Sequence, residues 1–313
     1  MKPRILVISS ANIDFVQNVQ KLPEEGETFV ESKLSYGYVP GGKGANSAVA
    51  FARLGGDTVF CAKVGRDDNG QRLRNLYENE GIDIRYIRED RFTPTGLASV
   101  IVNGEGANRI IVYPGANYTM TADDVEEAFN CMPDGVFVHL EIPDEAVYAA
   151  SYFAAEKNIP FFVDAGPVRP TFNVEKIRKA EIISPNEAEC AAITGIYPDS
   201  VENCLRAAIC LKNLSDFKYV VLKLGVRGAF VYDGKFYDFV PSHKVKAVDT
   251  TGAGDVFTAA LSYAYMQKGD IRESARFASL AAAIAVTRPG ACSSVPTLKE
   301  VKAFAKKVKE VGR

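Results

Sequence analysis

Residues 249–267 read DTTGAGDVFTAALSYAYMQ, a glycine-rich turn that runs directly into a helical pattern. The small residues Gly252, Ala253 and Gly254 let backbone N–H groups approach a ligand closely. The helix predicted over 256–267 adds unpaired N–H donors and the positive end of its dipole at the same point. Together these features predict an anion cradle that suits phosphate.

Asp255 stands where this predicted helix starts. The helix dipole favours the ionised form of a carboxyl group at that position. An ionised carboxylate beside a phosphate cradle can accept the proton of an alcohol that attacks phosphorus. An isolated aspartate at a helix start is usually only a cap, but the glycine-rich heptapeptide favours the interpretation of Asp255 as a general base.

The rest of the chain alternates short apolar segments with amphipathic helical patterns. The predicted strands are residues 4–8, 58–64, 136–140, 160–163, 181–184 and 219–224. Predicted helices span 45–54 and 70–80, and further helices start at Thr121, Asp270 and Thr297, each followed three positions later by an acidic residue. The alternation predicts a three-layer α/β/α sandwich with a mostly parallel central sheet.

One region interrupts this alternation. Residues 97–102 and 109–113 form strand patterns around Asn103-Gly104, and Asn-Gly is a strong hairpin signal. Residues 27–38 add a further strand candidate. We therefore predict a small antiparallel β lid, built from residues 27–40 and 96–114, within a single domain that covers residues 1–313.

The amino-acid composition excludes several classes of protein. The chain has 313 residues, of which 47% are hydrophobic and 24% charged, and its net charge is −2. These values exclude disordered and collagen-like proteins and favour neither nucleic acid nor an anionic membrane as a partner. The apolar runs are too short for a membrane-spanning helix or a signal peptide. With six cysteines but no CxxC pair, and only two histidines, we expect a cytoplasmic protein without a disulfide scaffold or a His-rich metal site.

Polar residues and glycines follow most of the predicted strands. Ligands of open α/β sheets bind outside the carboxyl ends of the parallel strands, so we expect these residues to meet at one edge. They are Asn12, Asp14, Glu141, Asp164, Asn186, Glu189, Gly225, Arg227 and Gly228.

A second glycine-rich stretch, GGKGAN at residues 41–46, opens the helix predicted over 45–54. It differs from a P-loop because Gly44 replaces the required serine or threonine and no clear parallel strand precedes it. The functional interpretation is a polyol site in which Lys43 and Asn46 form hydrogen bonds, and the alternative is a plain glycine turn.

The segment NEAE at residues 186–189 allows two interpretations. Asn186 followed three residues later by Glu189 matches a capping box at a helix start. The same two residues can present an amide to phosphate and a carboxylate to a hydrated Mg²⁺, which prefers few protein ligands together with water and phosphate.

Four motifs resemble the ribokinase (PfkB-type) carbohydrate kinases, in the order and at the spacing of that family, over essentially the whole chain. They are Asn12-x-Asp14, Gly41-Gly42-Lys43-Gly44-Ala45-Asn46, Pro185-Asn186-Glu187-x-Glu189 and the heptapeptide at 249–255. Residues 104–117 and 287–296 are similar to the ribokinase branch of this family. The resemblance implies a ribokinase-like fold with a β lid over the sugar.

The resemblance also implies ATP-dependent phosphorylation of the primary hydroxyl of a sugar, which in the ribokinase branch is O5 of ribose and gives ribose 5-phosphate. Asp255 is then the general base, and the amides of Gly252, Ala253 and Gly254 stabilise charge on the transferring phosphoryl group. The implied cofactors are ATP, Mg²⁺ and an activating K⁺. Because the lid of ribokinases is a dimer contact, a homodimer is expected.

A residue set for each ligand follows from the same resemblance. The sugar would be held by Asn12, Asp14, Gly42, Lys43, Gly44, Asn46 and Glu141. The nucleotide site would be lined by Asn186, Lys223, Gly225, Arg227, Gly228, Gly254 and Ser279. Potassium would be bound by Asp249, Thr251, Ala285, Arg288, Gly290 and Ser294, and Glu189 would act on Mg²⁺ through water.

Four positions depart from the ribokinase pattern. Lys223 stands where ribokinases often have a small hydroxyl residue, and Ser279 replaces a residue that is often histidine or asparagine. Residues 164–167 read DAGP instead of NPAP, and residues 106–108 of the lid read GAN instead of GEN. These departures indicate either drift within ribokinases or a different acceptor.

The alternatives to ribose keep the chemistry and change the acceptor to deoxyribose, another furanose or a ribonucleoside. A nucleoside base would need stacking partners, which Tyr36, Tyr38 and Tyr113 near the lid supply unless they pack the lid itself. Asp14 suits a cis-diol, so a deoxyribose would leave one hydrogen bond unmade, at a cost of about 1–3 kcal/mol. The intact Asp255 disfavours a non-catalytic sensor, and the first strand is not followed by the G-x-G-x-x-G of a dehydrogenase.

Overall fold

The protein, here as a computed structural model, is described over residues 2–32, 35–104 and 108–311. Within these ranges it forms a large sheet, a small sheet and helices on both faces of the large sheet. The strands are β1 Arg4–Ile8, β2 Asn12–Asn18, β3 Tyr36–Gly41, β4 Asp57–Gly65, β5 Ile87–Asp90, β6 Gly96–Val102, β7 Asn108–Tyr113, β8 Gly135–Val138, β9 Phe161–Asp164, β10 Lys179–Ser184, β11 Asp216–Lys223, β12 Ala229–Tyr232 and β13 Tyr237–Val240. The helices are α1 Lys43–Leu54, α2 Asp68–Asn79, α3 Ala122–Ala128, α4 Asp144–Glu156, α5 Glu187–Thr194, α6 Val201–Leu214, α7 Ala253–Lys268, α8 Ile271–Ala285 and α9 Leu298–Val311.

The large sheet has the strand order β13-β12-β11-β10-β9-β8-β1-β4-β5. All neighbours from β11 to β5 are parallel, whereas β12 and β13 are antiparallel additions at one edge. The six strands predicted from the sequence all lie in the parallel part, which confirms the predicted fold class. Strand β8 is shorter than predicted: its pairing stops at Val138, so His139 and Leu140 lie just beyond its carboxyl end.

The two faces of the large sheet bury two separate clusters of apolar side chains. Along β1, Ile5 and Val7 pack with α1, α7 and α8, whereas Leu6 and Ile8 pack on the opposite face with α3, α4 and α6. This division follows from the alternation of side chains along a strand. Because both faces are covered, β1 is continuously apolar from Ile5 to Ile8, as is typical of strands in a parallel sheet.

Among the helices in the described ranges, we find none whose length and apolar character would let it cross a lipid bilayer.

The small sheet has the strand order β3-β2-β6-β7. Strand β2 pairs antiparallel with β3 and parallel with β6, and β6 pairs antiparallel with β7. The hairpin predicted from Asn103-Gly104 is present as β6 and β7. Of the segment that reads GAN instead of GEN, residues 106–107 lie outside the described residues. Of the strand candidate at 27–38, only the part from Tyr36 onward is a strand among the residues described there.

The sequence does not predict strand β2, because it places Asn12 and Asp14 in a loop after β1. Asparagine and aspartate are depleted in strands, so the local sequence argues against one here. Pairing decides instead, since Asn12 stands opposite both Gly41 and Gly96. A Cβ atom on Gly96 would lie 2.2 Å from Asn12 Oδ1, so this glycine leaves room for the asparagine side chain.

Candidate active site

Two helix N-termini meet at the carboxyl edge of the large sheet. Helix α1 starts after Gly42 and helix α7 starts after Gly252, and both glycines have positive φ angles, of 91° and 74°. Glycine is the residue that adopts such angles without strain. The two turns predicted as a polyol site and an anion cradle are therefore brought together in one site.

Asp255 lies in the first turn of α7 and is 4% exposed. Its carboxylate accepts hydrogen bonds from Asn46 Nδ2 at 2.8 Å and Lys43 Nζ at 3.3 Å, both from α1. The Asp255 charge in turn holds the pKa of the Lys43 ammonium above its ordinary value, although burial opposes this. Asp255 is thus a buried carboxylate that is paired with the ammonium group of Lys43.

The orientation of Asn46 is held from the other side. The Cys292 thiol donates a hydrogen bond to Asn46 Oδ1 at 3.0 Å, which turns the amide nitrogen toward Asp255. A Cβ on Gly252 would lie 3.3 Å from Asn46 Nδ2, so Asn46 also packs beneath the glycine-rich turn. The predicted sugar residue Asn46 therefore connects the two helix starts.

His139 is fully buried, as predicted for a core histidine, yet it lies in the site. Its Nδ1 is 3.1 Å from Ser9 Oγ, its Nε2 is 3.3 Å from Ser47 Oγ, and burial lowers its pKa. Nε2 is 3.9 Å from a carboxylate oxygen of both Asp164 and Asp255. The only signal for this placement in the sequence is the position of His139 at the end of a predicted strand.

The ligand atoms of His139, Asp164 and Asp255 lie within 4.8 Å of one another, a spacing that suits a metal ion. Both carboxylates, however, already have a lysine partner. Lys43 Nζ is 3.3 Å from Asp255 and Lys223 Nζ is 2.7 Å from Asp164. These ammonium groups supply the positive charge that a metal would bring.

The predicted sugar residues line the side of the site toward the small sheet. Glu141 Oε2 accepts hydrogen bonds from Ser10 Oγ at 2.5 Å and from the backbone N–H of Lys43 at 3.1 Å. Gly41 leaves space for Asp14, since a Cβ there would lie 2.1 Å from Asp14 Oδ1. Burial, followed by the charges of Glu141 and Asp255, raises the pKa of Asp14 to about 7.

Asn117 is a site residue to which sequence reasoning assigned no role, although it closes the ribokinase-like stretch at 104–117. Its Nδ2 donates to Asn12 Oδ1 at 2.7 Å, and its Oδ1 accepts from the N–H of Ala11 at 2.8 Å. Asn117 therefore fixes the side chain and the backbone at the start of β2. Its partners come from a strand that the sequence did not predict.

Asn186 and Glu189, predicted to act on the nucleotide and on Mg²⁺, form the capping box at the start of α5. Glu189 N–H donates to Asn186 Oδ1 at 2.9 Å, and Asn186 N–H donates to Glu189 Oε2 at 2.7 Å. The capping interpretation is thus confirmed. The other oxygen, Oε1, points at Gly166, where a Cβ would lie 2.1 Å from it, and burial raises the pKa of Glu189.

Lys223 ends β11 and points at the cradle. Its Nζ donates to both oxygens of Asp164, at 2.8 and 2.7 Å, and to Thr258 Oγ1 at 3.3 Å. Burial by itself would raise the pKa of Asp164, but the Lys223 ammonium holds it below its ordinary value. A Cβ on Gly254 would lie 3.7 Å from Lys223 Nζ, which puts this ammonium beside the glycine-rich turn.

The remaining residues predicted for the nucleotide site lie near the antiparallel edge of the large sheet. The Arg227 guanidinium is bound to Glu187 Oε1 at 2.6 Å and to the carbonyl of Pro198 at 2.6 Å. Ser279 Oγ donates to the carbonyl of Pro241 at 3.0 Å, so its hydroxyl holds α8 against the segment after β13. Gly225 and Gly228 both have positive φ angles in the turn between β11 and β12.

Five of the predicted potassium residues lie in two loops, at 249–251 and 288–294, and the sixth, Ala285, is the last residue of α8. Asp249 accepts hydrogen bonds from the N–H groups of Thr251 and Gly290, both at 2.9 Å, which ties the loops together. The Arg288 side chain pairs with Glu300 at 2.5 Å, so Arg288 has only its carbonyl to offer a cation. Carboxylate, carbonyl and hydroxyl oxygens form a donor set that suits a hard cation. The full set is Asp249, Thr251, Ala285, Arg288, Gly290 and Ser294.

Comparison with known proteins identifies the family. Residues 2–298 match the family described as pfkB family carbohydrate kinase. The ribokinase of Haemophilus influenzae is 32% identical over 306 residues, which cover 97% of this chain and 99% of that protein. The deoxyribokinase of Salmonella typhimurium is 32% identical over 303 residues, which cover 95% of this chain and 96% of that protein.

A solved structure agrees with these relatives. The structure of Arabidopsis thaliana ribokinase complexed with ribose and ATP is similar to this one with a TM-score of 0.89 and 32% identity, over 98% of this chain and 99% of that one. The resemblance seen in the four sequence motifs is therefore confirmed over nearly the whole chain. The protein belongs to the pfkB family of carbohydrate kinases.

Proposed function

We propose that the protein transfers the γ-phosphoryl group of ATP to the primary hydroxyl of a pentose, and that this pentose is D-ribose. The observation that carries the proposal is the buried Asp255 carboxylate at the start of α7, held by Lys43 and Asn46 from the start of α1. This arrangement combines a base, groups that bind a polyol and an anion cradle in one site.

In the proposed mechanism the sugar hydroxyl lies between Asp255 and the glycine-rich turn. Asp255 accepts the hydroxyl proton while the oxygen forms a bond to the γ-phosphorus and the bond from that phosphorus to the bridging oxygen of ADP breaks. The backbone N–H groups of 252–254 stabilise the charge on the transferring group. Lys43 keeps Asp255 paired with a positive charge before the proton moves.

We also propose Mg²⁺ and K⁺ as the cations of this site. Glu189 would hold hydrated Mg²⁺ through water with Oε1, the oxygen that faces Gly166. The oxygen donors of the loop around Asp249 and of the loop around Gly290 would hold K⁺. Both ions would supply positive charge near the phosphates.

For the acceptor, we propose ribose over deoxyribose because Asp14 and Glu141 both face the sugar side and suit neighbouring hydroxyls. Sequence identity does not separate the two, since the ribokinase and the deoxyribokinase named above are equally similar to this chain. The aromatic rings of the lid argue against a nucleoside. Tyr38 stacks on Phe15 with centroids 4.8 Å apart, and Tyr36 meets Phe15 edge-on at 5.8 Å.

The test is ADP formation from ATP with Mg²⁺ and K⁺, using ribose, deoxyribose, fructose, ribonucleosides or no acceptor. We expect the highest kcat/KM with ribose, and acceptor-dependent ADP formation at least about 10²-fold slower with Asp255→Asn, which controls for contaminating kinases. A higher kcat/KM with another acceptor would overturn ribose as the substrate but retain the kinase chemistry. No phosphorylation of any of these compounds would overturn the proposed function.

We further propose a cytoplasmic homodimer that forms through the small sheet. The edge strands β3 and β7 expose large apolar side chains, among them Tyr36, Tyr38, Ile111 and Tyr113. All six cysteines lie in the described residues and carry free thiols, which suits a reducing compartment. Light scattering should give a dimer mass that Ile111→Lys converts to a monomer mass.

A further inference from the structure

The ion pair between Lys223 and Asp164 is buried at the edge of the anion cradle. Asp164 is fully buried, and the side chain of Lys223 is only 11% exposed. Both carboxylate oxygens of Asp164 accept from the same ammonium group, at 2.8 and 2.7 Å. This two-point contact fixes the direction in which the lysine side chain extends.

The position of the ammonium is set by three elements of the fold. The backbone N–H of Lys223 donates to the carbonyl of Pro185 at 2.9 Å, which fixes the end of β11 next to β10. Lys223 Nζ donates to Thr258 Oγ1, and that hydroxyl donates to the carbonyl of Gly254 at 3.1 Å. The ammonium therefore lies against the first turn of α7, on the side where a Cβ on Gly254 would be 3.7 Å away.

A buried ion pair is costly to desolvate, and well-packed apolar residues can often replace one without loss of stability. A buried ion pair beside the cradle can also bind a phosphate, because ammonium groups form charge-assisted hydrogen bonds with phosphate oxygens. Asp164 accepts from Lys223 with both oxygens but leaves the ammonium directed toward the turn.

We propose that Lys223 is a catalytic residue that contacts the transferring phosphoryl group, and that Asp164 is the positioning residue that holds it there. This inference rests on the proposed kinase function. The bonds made and broken are those of the mechanism above. Lys223 Nζ keeps its two hydrogen bonds to Asp164 and turns the N–H that now reaches Thr258 Oγ1, at 3.3 Å, to a non-bridging phosphoryl oxygen, without losing its proton. The cradle then stabilises the developing charge with an ammonium as well as with backbone amides.

The experiment compares Lys223→Met, Asp164→Asn and the double variant that carries both. Each single change leaves one buried charge without its partner, so loss of stability is expected from either. The double variant removes the pair as a unit and leaves no unpaired charge. Lys218→Met is the matched control, because Lys218 is also on β11 and pairs with Glu181 on β10 at 2.6 Å, away from the cradle.

Two readouts separate a role in phosphate binding from a structural one. The first is kcat with ribose, which we expect to fall by about 10²-fold in Lys223→Met and in the double variant, the size expected for loss of one preorganised donor. The second is the ratio of ATP to AMP affinity measured by calorimetry, which we expect to fall by about tenfold in both. The melting temperature of the double variant should exceed that of Asp164→Asn.

A double variant with the kcat and the ATP-to-AMP affinity ratio of the wild type would overturn the proposal and leave a purely structural pair. Lys223→Arg should recover part of the kcat lost in Lys223→Met, and this test remains available if the double variant does not fold. The affinity ratio needs no sugar, so it still decides the role of Lys223 if ribose proves to be the wrong acceptor. Failure of all acceptors with the wild type would instead count against the proposed function.

Discussion

The two glycine-rich turns that meet at Asp255 use glycine for different reasons. At the start of α1, a Cβ on Gly44 would lie 2.5 Å from the carbonyl oxygen of Ser10, so protein atoms fill the space. At the start of α7, a Cβ on Gly254 would meet Lys223 Nζ at 3.7 Å, an ordinary van der Waals distance. The fold therefore requires glycine at position 44, whereas at position 254 glycine keeps space for a ligand.

This difference shows that two similar motifs have different roles in one site. The α1 turn is packed into the protein and delivers side chains, Lys43 and Asn46, to Asp255. The α7 turn has its small residues at 252–254 only partly buried, and the N–H of Ala253 donates to the carbonyl of Thr250 at 3.2 Å. Substitution of Gly44 in the first turn should therefore act on stability, and substitution of Gly254 in the second should act on turnover.

The largest effect is expected at Asp255, where the two turns meet. Asp255→Asn removes the proton acceptor but keeps the shape of the side chain, so we expect kcat to fall by about 10²–10⁴-fold. ATP affinity, measured by calorimetry, should remain close to that of the wild type. Turnover near the wild-type value would contradict the assignment of Asp255 as the base.

The next comparison substitutes alanine in each turn. Gly254→Ala should lower kcat by about 10²-fold, because a shift of about 1 Å at a reacting group can cost that much. Its free energy of unfolding should not fall, since alanine is favoured over glycine in a helix by about 0.5–1 kcal/mol. Steady-state kinetics and denaturant unfolding measure the two quantities.

Gly44→Ala is the matched variant in the other turn. Its Cβ would contact Ser9 and the backbone of Ser10, so we expect a loss of about 1–3 kcal/mol in the free energy of unfolding. If Gly44→Ala unfolds like the wild type, or if Gly254→Ala is the less stable of the two, the distinction between the turns is wrong.

A smaller effect is expected from the cation beside the α7 turn. Replacing K⁺ by tetramethylammonium at constant ionic strength should lower kcat several-fold, since the bulky ion cannot use the oxygen donors of the two loops. ADP should be measured by chromatography, so that no coupling enzyme responds to the cation. Equal turnover in both salts would remove K⁺ from the proposal.

The last comparison concerns the pH dependence of stability at Asp14, on the small-sheet side of the α1 turn. Its pKa of about 7 in the folded protein lies above the ordinary value of 3.8, so the folded state binds the proton more tightly. The stability that this proton provides is present at low pH and is lost as the pH rises through about 7. The melting temperature of Asp14→Asn, relative to the wild type, should therefore increase between about pH 5 and about pH 8.

The sequence predicts those parts of the fold and site whose signals are local. The heptapeptide at 249–255 holds its small residues and its helix start within one contiguous stretch, and each parallel strand from β8 to β11 contains a short apolar run. The capping box of Asn186 and Glu189 is likewise a local pattern, and it is present. Strand β2 is missed because its residues favour a loop and only its pairing with β3 and β6 makes it a strand.

Local sequence patterns do not predict the long-range contacts between side chains around Asp255. His139 follows β8 and Asp164 ends β9, and their approach to each other and to Asp255 depends on β8 and β9 being neighbours in the sheet. The hydrogen bond from Cys292 to Asn46 joins residues from opposite ends of the chain. Tertiary packing sets these distances, and the spacing of the residues along the chain does not reveal them.

The small sheet also constrains how this enzyme can be recombined with its relatives. Its strands come from two separate stretches, residues 12–41 and 96–113, which are joined by the parallel pairing of β2 and β6. A chimera with one crossover between residues 42 and 95 would take β2 and β3 from one parent and β6 and β7 from the other. A crossover after Tyr113 would inherit the whole sheet from one parent, together with Asn12 and Asp14.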